Sequence, residues 1–367
     1  MSSIDTILKN EGISIVRELN RSEVKVIAKD ISIKLCLAFP EHNLSRKSIY
    51  TALSGIKMYL ANLPNDFSGA KYILDNNSIY FNNKIPFENI PNTAMHECIH
   101  FIQHYNATTN LGLSESVKNV ALNEAAVQLM ASEANMNSVT DAKYFDINIK
   151  TTSPDYYPLE CVLLSQITYF TGTFPLFDSV LFSNDIFKNT FVTKFNKKMY
   201  SEISSRLDKL LCLENELNCY VEELTCTSKS RQINNLNKLI NYKKQKIMTL
   251  FFRTQNYIMK NCFKYEFNSI RTLNDVHNLK NRLYEYKNII GFNDEYTFYN
   301  DFYCSMMNAI SEKKDYILEH GTEELTSGST ALIVIDSKKS KFTFAKELIR
   351  KLKELFKSEV SKDYINE

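Results

Sequence analysis

Residues 96–100 are His96-Glu97-Cys98-Ile99-His100, within a segment, residues 93–105, whose remaining pattern is typical of an α-helix. On a helix the two histidines are one turn apart on the same side, with about 6 Å of rise between them. Two imidazoles at this spacing can bind one zinc ion at about 2.1 Å each. Glu97 lies beside them, where its carboxylate could take a proton from a water molecule activated by the metal.

The residues around this motif support a helix. Pro91 falls in the first helical turn, where proline is accepted. Apolar residues provide the faces that would pack against the rest of the protein, namely Ile90, Met95, Ile99 and Ile102. The alternative is an ordinary surface helix with solvated histidines, since short motifs also occur by chance.

A catalytic zinc ion usually has three protein ligands and one open position. His104 is near in sequence, but it lies two turns from His96, about 12 Å along the axis, too far to share an ion. If His100 and His104 formed the pair, Phe101 would occupy the position of the base. We therefore expect His104 to be exposed or to support a ligand.

Glu124 is the better third ligand. It lies in a predicted helix, residues 115–136, and shares a mostly apolar face with Val117, Val120, Ala121, Val127 and Ala131. A carboxylate on such a face is costly to bury unless it is paired or binds a metal. The alternatives are pairing with a lysine or arginine, or a ligand role for Glu115 or Glu133.

His96-Glu97-x-x-His100 followed by Asn123-Glu124 resembles the gluzincin (thermolysin-like) class of zinc metallopeptidases, over about residues 70–135. The resemblance implies zinc on His96, His100 and Glu124, with Glu97 as general base. In that class an aspartate four residues after the ligand glutamate orients the first histidine. Here that residue is Gln128, which can accept the same hydrogen bond without supplying charge. Asn123 is the second candidate for such a supporting role.

Net charge, the first residues, the apolar runs and the cysteine spacing argue against several classes of function. The net charge of +2 over 367 residues gives no basis for expecting nucleic acid as a partner. The first residues do not resemble a secretory signal, and no apolar run is long enough to cross a membrane. The eight cysteines form no C-x-x-C pair. Together these features predict a cytoplasmic protein with reduced thiols, and export by a non-classical route is the alternative.

The low counts of glycine (8) and proline (7) favour a mainly α, α+β fold. Helices are predicted at residues 22–39, 46–62, 159–171, 199–226, 231–264, 272–290 and 295–319. Two short strands, residues 72–74 and 79–81, suggest a small antiparallel sheet next to the zinc-binding helix. An extended substrate could bind along an edge of that sheet.

We divide the chain into a zincin-like domain (1–175), a helical region (176–330) and a terminal strand, 331–336, with a basic helix, 342–360. In the helical region Cys212, Cys219 and Cys226 are seven residues apart, which predicts a buried, reduced seam on one helix rather than a metal site. The short segment 242–247, rich in lysine, is interpreted as a solvated face.

A peptidase also needs a donor for the developing oxyanion. Tyr156 and Tyr157 lie in a predicted loop and are weak candidates, because most of the 21 tyrosines must serve packing or the surface.

The leading hypothesis is a zinc metallopeptidase acting on a peptide or protein substrate. The alternatives are a non-catalytic helical interaction protein with a chance or inactive motif, and a zinc hydrolase of another bond. The oligomeric state is not predicted.

Overall fold

The computed structural model describes residues 4–64, 69–107, 112–115, 118–290 and 298–321. The mainly α, α+β fold predicted from the sequence is confirmed. The helices are α1 (Ile4–Asn10), α2 (Arg21–Ala38), α3 (Arg46–Leu53), α4 (Ile90–Asn106), α5 (Val120–Ala134), α6 (Pro158–Thr171), α7 (Phe174–Phe182), α8 (Ile186–Lys194), α9 (Lys197–Cys226), α10 (Ser230–Asn268), α11 (Leu273–Ile289) and α12 (Tyr299–His320). Within the described ranges, no helix combines the length and the apolar character that a membrane span requires.

A four-stranded sheet lies beside α4. Its strands are β1 (Ser14–Glu18), β2 (Lys57–Asn62), β3 (Ala70–Ile73) and β4 (Ser78–Asn82), in the order β1-β2-β4-β3. The predicted hairpin corresponds to β3 and β4, which pair antiparallel. The sheet as a whole is mixed rather than antiparallel, because β2 and β4 run parallel. The edge strand β3 packs against α4.

The helix predicted over residues 46–62 is wrong in its second half. The helix α3 ends at Leu53, and the chain returns as the strand β2 after a turn at Ser54 and Gly55. The apolar spacing continued across this turn and fitted a helix. Pairing with β1 on one side and β4 on the other fixes residues 57–62 as a strand, and this pairing is not visible in the local pattern.

The helix α5 is shorter than predicted and begins at Val120. Its first turn is held from another part of the chain, because the Asp208 carboxylate of α9 accepts hydrogen bonds from the backbone N–H groups of Asn119 and Ala121 at 2.9 and 3.0 Å. A carboxylate at a helix N-terminus satisfies unpaired N–H groups and favours the helix dipole. The C-terminal helical region therefore helps to position the helix that carries Glu124.

The helices α9 to α12 match the four predicted long helices within a few residues. One cluster of buried apolar side chains extends from Leu19 to Ile317 and includes residues on both sides of position 175. The division into domains remains a prediction. The strand 331–336 and the helix 342–360 lie outside the described residues.

A second hairpin, β5 (Thr140–Tyr144) with β6 (Ile147–Thr151), was not predicted.

The prediction of a buried cysteine seam on α9 is wrong. Cys212, Cys219 and Cys226 are free and exposed. The face of α9 that packs against neighbouring helices is instead formed by leucines, namely Leu207, Leu210, Leu213 and Leu217. Leucines and cysteines both recur at helical spacing, and the larger apolar surface of the leucines decides which face is buried.

Two carboxyl groups, those of Glu160 on α6 and Glu214 on α9, are buried in the core. Both oxygens of Glu160 lack a hydrogen-bond partner among the described residues. Burial raises the pKa of Glu160 to about 7. Burial also raises the pKa of Glu214 well above its ordinary value, and the Glu160 carboxylate raises it further. The folded state therefore binds these protons more tightly than the unfolded chain, in which such groups titrate near 4.5.

The contribution of these raised pKa values to the free energy of unfolding should be fully present below about pH 4.5, where both groups are protonated. It should be lost as the pH rises through about 7. We expect Glu160→Gln to leave the free energy of unfolding nearly unchanged at pH 5. At pH 8 the variant should be more stable than the wild type by about 2–3 kcal/mol, because an amide cannot ionise. Urea unfolding at both pH values measures this. Glu312→Gln, at an exposed position on α12, is the control. An equal stability difference at pH 5 and pH 8 would contradict the interpretation.

Candidate metal centre

The helix α4 presents both histidines of the motif to the same point. His96 and His100 are mostly buried, and their rings meet edge to face with centroids 4.7 Å apart. The opposite side of α4 is anchored in the core by Ala94, Met95, Cys98, Ile99 and Ile102. Because the apolar side is fixed, the direction of the two imidazoles is fixed as well.

Glu124 of α5 completes a group of three ligand atoms. Its Oε2 lies 3.3 Å from Nε2 of His96 and 3.3 Å from Nε2 of His100, and the two Nε2 atoms are 3.0 Å apart. Ligands about 2.1 Å from a tetrahedral zinc ion are separated by about 3.4 Å, close to these distances. His96, His100 and Glu124 could therefore hold a metal ion. No lysine or arginine among the described residues pairs with Glu124.

The hydrogen bonds on the far side of each ring set the protonation of the histidines. Nδ1 of His96 lies 2.9 Å from Oε1 of Gln128, and Nδ1 of His100 lies 2.9 Å from Oε1 of Gln103. An amide oxygen only accepts, so both Nδ1 atoms carry the proton. In the neutral rings the Nε2 lone pairs then face each other and the Glu124 carboxylate. Three electron-rich atoms this close need a cation between them.

The pKa values of His100 and Glu124 also indicate that this group of side chains favours a positive charge. Burial lowers the pKa of His100, but the carboxylate of Glu124 outweighs it and the pKa rises to about 9. Burial raises the pKa of Glu124, but the two histidines hold it well below its ordinary value. A proton on His100 can thus supply the positive charge that a metal ion would supply when bound.

Gln103 was missed in the sequence analysis, although it lies three residues after His100 on the same side of α4. It is fully buried, and its Nε2 donates to Oδ1 of Asn123 at 2.9 Å. The same Asn123 oxygen accepts the backbone N–H of Leu113 at 3.0 Å. Gly112 has a φ of +58° and contacts both amides so closely that no side chain would fit. Asn123 therefore supports His100 through Gln103, whereas Gln128 supports His96 directly.

Removing one of these outer hydrogen bonds should weaken metal binding without removing a ligand. We expect Gln128→Leu to lower the zinc affinity by about 10–100-fold, the usual effect of losing such a partner. Competition with a chromogenic chelator measures the affinity. Gln232→Leu, on α10, is the control for the same chemical change. An unchanged affinity in Gln128→Leu would show that the hydrogen bond to His96 does not orient the ring.

Glu97 occupies the flank of the site next to β3. Its Oε2 accepts the backbone N–H of Tyr72 at 2.7 Å. Within the described ranges, its other oxygen accepts no hydrogen bond from the protein. The carboxylate is therefore held in one orientation while one oxygen stays available. The Tyr72 N–H is engaged by this bond and cannot also bind a substrate backbone.

Tyr157 is brought to the site and Tyr156 lies next to it. The Tyr157 ring stacks on His96 with centroids 6.0 Å apart. Burial raises the pKa of Tyr157 well above 10, and the carboxylates of Glu124 and Glu97 raise it further. The phenol therefore stays protonated as a donor at neutral pH. The more exposed Tyr156 places its hydroxyl against the backbone of Gly69.

A cleft of about 330 Å³ opens beside these groups. His96, Glu97, Gln128 and both tyrosines line it, together with Ala70 of the edge strand β3. The side chains of His96, His100 and Glu124 keep 15%, 13% and 22% of their surface exposed. Of these three residues, His96 lines the cleft, and all three side chains keep some surface accessible to solvent.

The other residues considered from the sequence lie elsewhere. His104 is exposed and its Nδ1 lies 2.8 Å from the hydroxyl of Tyr72, as expected for a residue outside the ligand set. Glu115 pairs with Lys188 at 2.6 Å, and Glu133 is exposed at the end of α5. Val120 of the predicted apolar face is exposed, and Val117 lies outside the described residues.

Comparison of the chain with known proteins supplies no relative from which a role could be transferred. No protein-family model, no curated protein and no solved structure matches it.

Proposed function

We propose that this protein is a zinc-dependent metallopeptidase that cleaves a peptide or protein substrate. The single observation that carries the proposal is the convergence of His96, His100 and Glu124 next to Glu97, with His96 and Glu97 lining an open cleft. Two neutral imidazoles and one carboxylate form a donor set that zinc enzymes use for catalysis. Zinc in such a site supplies Lewis acidity toward a water molecule and a carbonyl oxygen.

Residues of the chain would transfer the proton, stabilise the oxyanion and orient the two imidazoles. Glu97, fixed by the Tyr72 N–H, takes the proton of the attacking water and passes it to the leaving amine. The Tyr157 phenol, which stays protonated, donates a hydrogen bond to the oxyanion that develops on the scissile carbonyl. Gln128 and Gln103 hold the imidazoles with their Nε2 lone pairs toward the ligand point. Glu97 and His96 line the cleft, where we place the substrate.

Two measurements test the proposal. Metal analysis of the purified wild type should give about one zinc per chain, and His96→Ala should contain little. Incubation with casein and with an unstructured peptide library should give cleavage that a chelator abolishes and zinc restores. A zinc-free wild type that gains none on dialysis would overturn the proposal. Bound zinc without peptide cleavage would favour a hydrolase of another bond or a metal-stabilised scaffold. A cytoplasmic setting remains a prediction.

A further inference from the structure

A second cleft, remote in sequence from the metal ligands, lies between α9 and α10. It has a volume of about 330 Å³ and is lined by Lys209, Leu213, Tyr242, Gln245, Lys246, Thr249, Leu250 and Arg253. We refer to these eight residues as the basic groove. Its volume is within the range of small-molecule sites, about 300–1,000 Å³.

The polar side chains of the basic groove have no hydrogen-bond or ion-pair partners within the described part of the chain. Lys209, Lys246 and Arg253 are exposed, and no described aspartate or glutamate lines the groove. Lys246 lies over the ring of Tyr242, with Nζ 4.4 Å from the centroid, which positions the ammonium without neutralising it. Three positive charges around one cavity therefore remain uncompensated by protein groups.

Helical spacing places these groups along one side of the cavity. Lys246, Thr249 and Arg253 are three and four residues apart and so lie on one face of α10. Lys209 faces them from α9, the helix that packs along α10. Lysine and arginine only donate, and Thr249 and Gln245 add a hydroxyl and an amide. Such a set suits a ligand that only accepts hydrogen bonds and carries more than one negative charge.

The basic residues around the groove are already neutralised. Lys243 pairs with Glu216, Lys244 pairs with Asp146 at 3.1 Å, and Arg206 pairs with Glu202 at 2.9 Å. The lysines of the segment 242–247 thus have different roles, and the interpretation of that segment as one solvated face is too simple. A nucleic acid needs a continuous track of positive charge for its backbone. Here the charge is confined to one cavity, which favours a small ligand.

We propose that the basic groove binds a small molecule bearing phosphate groups. Arginine and lysine are the side chains that bind phosphate through charge-assisted hydrogen bonds. Leu213 and Leu250 add apolar surface to the lining, and Tyr242 offers an exposed ring to any organic part of the ligand. This inference does not depend on the proposed peptidase activity.

Titration calorimetry with inorganic pyrophosphate tests the site. The wild type should bind it saturably, and added sodium chloride should weaken the binding. Lys246→Ala/Arg253→Ala should weaken it at least about tenfold, because charged hydrogen bonds are lost. Lys25→Ala/Lys29→Ala removes the same charge from exposed positions on α2 and is the control, expected to bind as the wild type does.

Both double variants keep His96, His100 and Glu124, so pyrophosphate bound at a metal there would bind to them equally. Equal affinity of the groove variant and the wild type would overturn the proposal, as would the absence of saturable binding to the wild type. A single-stranded oligonucleotide or a polyglutamate peptide that bound more tightly, with loss in the groove variant, would overturn the small-molecule assignment.

Discussion

Glu97→Gln is expected to lower the rate of peptide hydrolysis by at least about a hundredfold, since general-base catalysis contributes about 10²–10⁴-fold. The substitution removes the group that accepts the proton and leaves the geometry of the side chain unchanged. Glutamine keeps the length of the side chain, and its amide oxygen can still accept the Tyr72 N–H that fixes Glu97. It cannot take a proton from water at neutral pH. The measurement is the initial rate of chelator-sensitive cleavage of a peptide that the wild type cuts.

Two further properties should stay unchanged in this variant. Glu97 is not among the three ligand atoms, so zinc content should equal that of the wild type. Glu88→Gln, at an exposed position just before α4, makes the same chemical change and should retain full activity. Chelator-sensitive cleavage that persisted in Glu97→Gln at the wild-type rate would place the catalytic base elsewhere.

The parts of the site that could be predicted from the sequence are those set by helix geometry. His96, Glu97 and His100 lie within two turns of one helix, so their relative positions follow from 3.6 residues per turn. The position of Glu124 was inferred from an isolated carboxylate on a mostly apolar helix, although Val120 of that face is exposed. The physical cost of burying an unpaired carboxylate was a sufficient signal.

The parts that could not be predicted depend on contacts between distant segments. Gln103 supports His100 only because Asn123 and the backbone at Gly112 enclose its amide. Asp208 accepts hydrogen bonds from the first turn of α5, although it lies on a helix more than eighty residues later. Residues 57–62 become a strand because strands lie on both sides of them. Local periodicity contains none of these pairings, and tertiary contacts override it.

Glu124→Ala should abolish tight zinc binding, with a larger loss than the about 10–100-fold expected for outer hydrogen-bond partners such as Gln128. Its Oε2 is equally distant, at 3.3 Å, from both imidazoles, so its removal leaves two ligands. Because bound metal stabilises the folded state by mass action, zinc should raise the melting temperature of the wild type and not that of the variant.

Glu115→Ala and Glu133→Ala are the matched controls, because these two carboxylates were the alternatives and the structure places both outside the ligand group. Both should keep full zinc content and the zinc-dependent rise in melting temperature. Glu115→Ala removes only the pair with Lys188, a partly exposed ion pair of small energetic value. Full zinc occupancy in Glu124→Ala would show that the third ligand is a different group, and with it the proposed arrangement of the catalytic site would fail. Loss of zinc in Glu124→Ala alone would establish the set of two imidazoles and one carboxylate on which the role of Glu97 depends.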